Sequence, residues 1–150
     1  MPGASLLLAL VAALGGAAIA AQSGTNSVLA ARIGSVGWTA AFSAAVTSTL
    51  LAFYALLARA PLPVPERLAG LPWWAWLGGP LGAAFLFTII TTAPRIGATA
   101  ALGSVIAGQL VAAALFDHFG LLGFAPRPLD APRLLGIALL LAGVALLLRR

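Results

Sequence analysis

The sequence contains no cysteine, no lysine, one histidine and three acidic residues among 150. Without cysteine there is no disulfide framework and no thiolate metal site. His118 cannot hold a metal alone, so neither a metal nor any other cofactor is expected. Charged residues make up 7% of the chain, where a soluble domain carries about a quarter. A domain this small has too much surface to cover with so few charges. Apolar residues take their place, with 62% hydrophobic composition and a mean hydropathy of +1.10. Lipid is the solvent that tolerates such a surface, and the chain reads as an all-α integral membrane protein. The net charge of +5 does not point to nucleic acid. Its arginines are scattered between apolar runs rather than gathered into a patch.

A membrane helix needs roughly 20 apolar residues bounded by charge. Five stretches meet or approach this, at about 5–31, 36–57, 71–92, 96–116 and 132–148. The chain is therefore expected to be a single five-helix membrane domain over 1–150. The fifth stretch is short. Its uncharged part from Leu134 reaches only about 22 Å at 1.5 Å per residue. Asp130 as cap and Pro132 in the first turn lengthen it, and the flanking arginines can snorkel. Ala93-Pro94-Arg95 is barely a turn, which predicts a tight hairpin of the third and fourth spans. The run 6–14 with its Ala-rich continuation also has the form of a cleaved signal peptide. The first four residues carry no basic charge, so a retained span is expected.

Arginine and lysine near span ends set orientation. With five spans the loops alternate sides. Arg59, Arg67, Arg127 and Arg133 fall on one face, and Arg32, Arg95, Arg149 and Arg150 on the other. Four against four predicts insertion in both orientations. Two copies then pair antiparallel, the inverted arrangement that many transporters encode as fused repeats.

Polar groups within spans are costly and face protein or water. In the first span Gln22 and Asn26 lie one turn apart on one face. Their amides read equally as contacts to a polar solute or as interhelical hydrogen bonds. Gln109 is the comparable amide of the fourth span. Gly97, Ala101, Ser104 and Gly108 form a stripe of small residues there, expected to be a packing surface. Gly78, Gly79 and Pro80 are expected to break the third span, exposing backbone groups to a solute or forming a static kink. Trp76 stands at a vestibule or, as the stronger expectation, anchors the interface beside Trp73 and Trp74. Asp117 and His118 close the fourth span, as a coupling site or, more simply, with Asp117 salt-bridged to Arg127 or Arg133. No acid lies in the middle of any span.

Four segments then look familiar together: Gln22-Ser23-Gly24-Thr25-Asn26, Trp76-Leu77-Gly78-Gly79-Pro80-Leu81-Gly82, Ala93-Pro94-Arg95-Ile96-Gly97, and Gly108-Gln109 with Asp117-His118-Phe119-Gly120. The pattern resembles the YdcZ-like family of the drug/metabolite transporter superfamily over nearly the whole chain. The resemblance implies a five-helix transporter or exporter of the bacterial inner membrane, with no defined substrate. It also implies half of a ten-helix fold, in a family that includes single, paired and fused forms. Gln22, Asn26, Gln109, Asp117 and His118 are its matched positions. Small multidrug carriers of that superfamily use an acidic residue in their first helix, and this chain has none there.

The expected function is secondary transport of a small polar metabolite by alternating access in an antiparallel homodimer. The expected solute contacts are Gln22, Asn26, Gln109 and Trp76. The partners are the bilayer, a second copy and the solute. The alternatives are a passive channel and a non-transporting assembly protein. An enzyme is not expected, since the sequence offers no nucleophile–base pair and no metal cluster.

Overall fold

The computed structural model describes residues 2–149. Arg150, which enters the arginine balance, lies outside the described residues, as does the side chain of Arg67. Among the described residues every regular element is helical. The chain divides into two compact units, Met1–Thr91 and Thr92–Arg150.

In the first unit, α1 (Pro2–Ile33) packs against α2 (Val36–Leu57). Two residues join them. Gly34 donates its N–H to the Ala30 carbonyl and ends α1. The hydroxyl of Ser35, in extended backbone, then accepts from Trp38 N and starts α2. Such a cap satisfies one of the donors that a helix start leaves free. α2 closes at Arg59, whose φ is 49°. Arg59 N donates to Leu56 O and Ala60 N to Ala55 O, the paired bonds of a Schellman end. A short α3 (Pro65–Ala69) and a 3-10 turn (Trp73–Leu77) follow, and α4 (Gly78–Ile96) continues directly from that turn.

Among the described residues four stretches are long and apolar enough to cross a membrane: Leu6–Ile33, Val36–Leu57, Trp73–Ile96 and Ala98–Phe119. α6 (Ala131–Leu147) is a shorter apolar helix of 17 residues, about 25 Å of rise. Asp130 caps it by accepting from Arg133 N at 3.0 Å, with Pro132 in the first turn. Along α1 and α2 the large apolar side chains, Leu8, Leu14, Leu50 and Phe53 among them, are exposed. That suits a chain whose solvent is lipid.

The third and fourth spans differ from the sequence expectation at two places. Gly78, Gly79 and Pro80 mark a change of helix type near the start of the span, which stays helical across them. They form the first α-helical turn after the 3-10 turn. A proline there lacks only an N–H that has no α-helical partner at a helix start. The 93–95 segment is not a loop either. α4 runs through Pro94 to Ile96, and a single residue, Gly97, separates it from α5 (Ala98–Phe119). Gly97 has φ 86° and donates its N–H to Ala93 O at 3.0 Å. It is therefore the turn itself and stands outside the helical stripe to which the sequence assigns it. Only glycine takes such a φ at no steric cost.

In the second unit α5 packs against α6. The close approach is at Gly103, where an added Cβ would lie 3.4 Å from both Leu147 Cδ1 and Val144 Cγ2. Ala100, Ala101 and Ala107 are buried, Ser104 is half-buried and Gly108 is exposed.

Candidate functional site

The first unit carries a polar seam between α1 and α2. The four-residue spacing of Gln22 and Asn26 places both amides on the α2 side of α1. Gln22 Nε2 donates to Ser43 Oγ at 3.4 Å, and Asn26 Nδ2 donates to the same oxygen at 3.2 Å. A hydroxyl oxygen has two acceptor positions, so Ser43 is fully used as an acceptor. Each amide keeps its carbonyl oxygen and a second N–H for another partner. Asn26, Ser23 and Thr39 are buried, at 6%, 2% and 0% exposure, where apolar packing would be the rule.

The hydroxyls of this seam mostly serve their own helices. Ser27 Oγ donates to Ser23 O at 2.8 Å and Thr39 Oγ1 to Ser35 O at 2.9 Å. Ser23 Oγ differs, being buried with no hydrogen-bond partner among the described residues. The seam therefore holds amides and hydroxyls but no charge, with spare hydrogen-bonding capacity. That chemistry suits an uncharged or zwitterionic polar solute.

Sequence inspection of α1 finds Gln22 and Asn26 but misses Ser43, where they meet. The signal was present. Ser35, Thr39, Ser43 and Thr47 recur every four residues along α2, a polar stripe on one helical face.

The second unit carries a charged corner where α5 ends and α6 begins. Arg133 Nη1 lies 3.8 Å from Asp117 Oδ2 and donates to Arg127 O at 3.4 Å. Arg127 N donates to Asp117 O at 2.6 Å. His118 Nδ1 accepts from Leu129 N at 3.2 Å. That bond requires the proton of a neutral imidazole to sit on Nε2. Gly120 permits the corner: its φ is 63°, and an added Cβ would lie 2.8 Å from Pro126 Cγ. The structure thus brings Asp117 to Arg133 and His118 to the loop backbone. Trp76 and Gln109 are exposed, and neither side chain makes a hydrogen bond among the described residues. No group of three His, Cys, Asp or Glu residues that could hold a metal occurs among the described residues.

Comparison with known proteins bears on this arrangement. Residues 7–146 match the family described as "Putative inner membrane exporter, YdcZ". That description is of an exporter, not an enzyme class. The inner membrane protein YdcZ of Escherichia coli (strain K12) is 32% identical over 85 residues, which cover 57% of this chain and 56% of that protein. The match thus spans little more than half the length of that relative. No solved structure matches the chain. With its helices long and apolar enough to cross a bilayer and a family match over nearly its whole length, the chain belongs to the YdcZ family of multi-pass inner-membrane proteins.

Proposed function

We propose that the protein is a secondary exporter of a small, polar, uncharged or zwitterionic metabolite. The observation that carries this is the α1–α2 seam, where Gln22 and Asn26 converge on Ser43 between two helices long and apolar enough to cross a membrane. A polar seam of this kind is expensive in hydrocarbon, and in membrane proteins such groups line solute paths or join helices. The unused amide carbonyls and the unpartnered Ser23 hydroxyl favour the solute path. Gln109 and Trp76, both exposed, are the further solute contacts of this reading.

The working unit is an antiparallel homodimer formed from two orientations of one chain. Its support is the even division of arginines between the two faces. Further support comes from Gly108, which is exposed half-way along α5. A small residue on an exposed face at mid-membrane leaves room for a helix of a second copy to approach closely. Rocking of the inverted halves then alternates access to the seam.

Two measurements on reconstituted protein test this reading. Counterflow of a labelled solute from the class identified by ligand-induced stabilisation distinguishes a carrier from a channel, which gives flux without counterflow. Asn26→Leu should keep the fold and lose both flux and ligand stabilisation. Undiminished flux in Asn26→Leu and in Gln22→Leu would remove the seam from the path. For the dimer, Gly108→Leu should dissociate subunits without lowering monomer stability, because nothing lies within 4 Å of an added Cβ there.

A further inference from the structure

The charged corner opens onto a groove that the transport reading does not use. Leu110, Ala113 and Ala114 of α5 form one wall, and Gly136 and Ile137 of α6 form the other. Asp117 and Arg133 stand at one end. The groove encloses about 460 Å³, within the roughly 300–1,000 Å³ common for small-molecule sites.

Three features specify its occupant. First, polarity runs along it in one direction. Asp117 is near the end of α5 and Arg133 near the start of α6, so both mark the same end of the helix pair. From there the wall is apolar back to Leu110, about 10 Å along the helix at 1.5 Å per residue. A charged head at a span end and an apolar body running inward is the orientation of a lipid in a bilayer. Second, the two charges are incompletely matched. Their 3.8 Å separation exceeds the roughly 2.7–2.9 Å of a charge-assisted hydrogen bond. Their side chains remain 33% and 39% exposed. Third, each charge sits at the less favourable helix end. The carboxylate of Asp117 adds to the negative end of α5, and the guanidinium of Arg133 adds to the positive end of α6. An ammonium is drawn to the first and a phosphate to the second. Asp130 is occupied as the cap of α6 and His118 Nδ1 by Leu129 N, so neither competes for the head.

We propose that this groove is a binding site for a zwitterionic phospholipid with a primary ammonium. The ammonium donates to Asp117, the phosphodiester accepts from Arg133, and an acyl chain lies between Leu110 and Ile137. A quaternary ammonium cannot donate, and an anionic glycerol head offers Asp117 only neutral hydroxyl donors, with no cation to match the carboxylate. The expected order of affinity is therefore phosphatidylethanolamine, then phosphatidylcholine, then phosphatidylglycerol.

The test is the melting temperature of the delipidated full chain with each lipid, read alongside lipid retention in native mass spectrometry. At about tenfold excess over Kd, phosphatidylethanolamine should raise Tm by on the order of 4 °C, and the other two by less than half as much. Asp117→Asn, close in size, should keep the protein folded and abolish the preference for phosphatidylethanolamine over phosphatidylcholine. Gly136→Trp fills the groove from a position with nothing within 4 Å, and should abolish retention with the oligomer intact. Should Gly136→Trp fail to fold, Asp117→Asn decides the matter alone. Equal shifts for all three lipids overturn the proposal. So does an equal shift from soluble phosphoethanolamine, which would make the occupant a free solute. Loss of the oligomer in Gly136→Trp with lipid retention unchanged would assign the groove to a second copy and also overturn it.

Discussion

The α1–α2 seam and the α5–α6 corner hold most of the chain's described polar contacts, and they solve the same problem in opposite ways. The seam lies within two spans and is built of amides and hydroxyls, with Gln22 and Asn26 sharing Ser43. The corner lies at span ends and is built of ions, with Asp117 and Arg133 half-exposed. The difference follows from the cost of desolvation. An acid or base at the bilayer centre costs roughly 2.5–3.5 kcal/mol on insertion scales. An interhelical hydrogen bond between neutral groups contributes only about 0.6 kcal/mol. A span can therefore carry several neutral groups that satisfy one another, while ions collect where water and headgroups reach them. Polarity alone thus does not mark a site in this molecule; depth decides which kind of polar group is tolerated.

Exchanging the chemistries should show the contrast most strongly. Asn26→Asp places a carboxylate in the buried seam, facing a hydroxyl and an amide but no cation. It should lower stability by about 3 kcal/mol or abolish insertion, read as loss of folded protein on extraction. A variant that extracts and melts like the parent would mean the seam is open to water.

Next in size is Gly120→Ala at the corner. It combines a positive φ, costing about 1–2 kcal/mol for an L-residue, with a 2.8 Å approach to the Pro126 ring. Tm should fall, and proteolysis should begin in the segment 121–130. Unchanged protection of that segment would show that the loop does not depend on this turn.

Ser43→Ala tests the seam from its other side. It removes the shared acceptor of Gln22 and Asn26, two bonds of about 0.6 kcal/mol each, and should cost roughly 1 kcal/mol. Its effect should vanish in the Gln22→Leu, Asn26→Leu background, where both donors are already gone. A double-mutant cycle measures this, and additive losses would break the assignment of Ser43 as their common partner.

The smallest effect is expected at the corner ion pair. Arg133→Gln should change stability by less than about 1 kcal/mol, since half-exposed pairs contribute little. Raising the salt concentration should shrink even that difference between parent and variant. A loss comparable to that of Asn26→Asp would mean the pair is buried in the working assembly.

The sequence by itself determined the solvent and the five apolar helices, though not the short α3 between the second and third of them. Sparse charge and long apolar runs leave lipid as the only compatible surroundings, and those runs appear as helices near their expected limits. It also determined the start of α6, because Asp130-Ala131-Pro132 is a local signal whose geometry needs no distant partner. Gln22 and Asn26 were legible as a pair because helical periodicity puts them on one face. Only the tertiary structure decided what they meet. Ser43 is 17 residues from Asn26, and a stripe on one helix does not say which neighbour will face it. The same limit displaced the glycines. Gly103, which lies off the expected stripe, carries the approach to α6, because spacing on one helix does not say which face a neighbouring helix will meet. Gly97 and Pro94 exchanged roles for a related reason. Proline suggests a helix end from its missing donor and its ring, yet the turn falls where a residue can take a positive φ, and that residue is the glycine three places on.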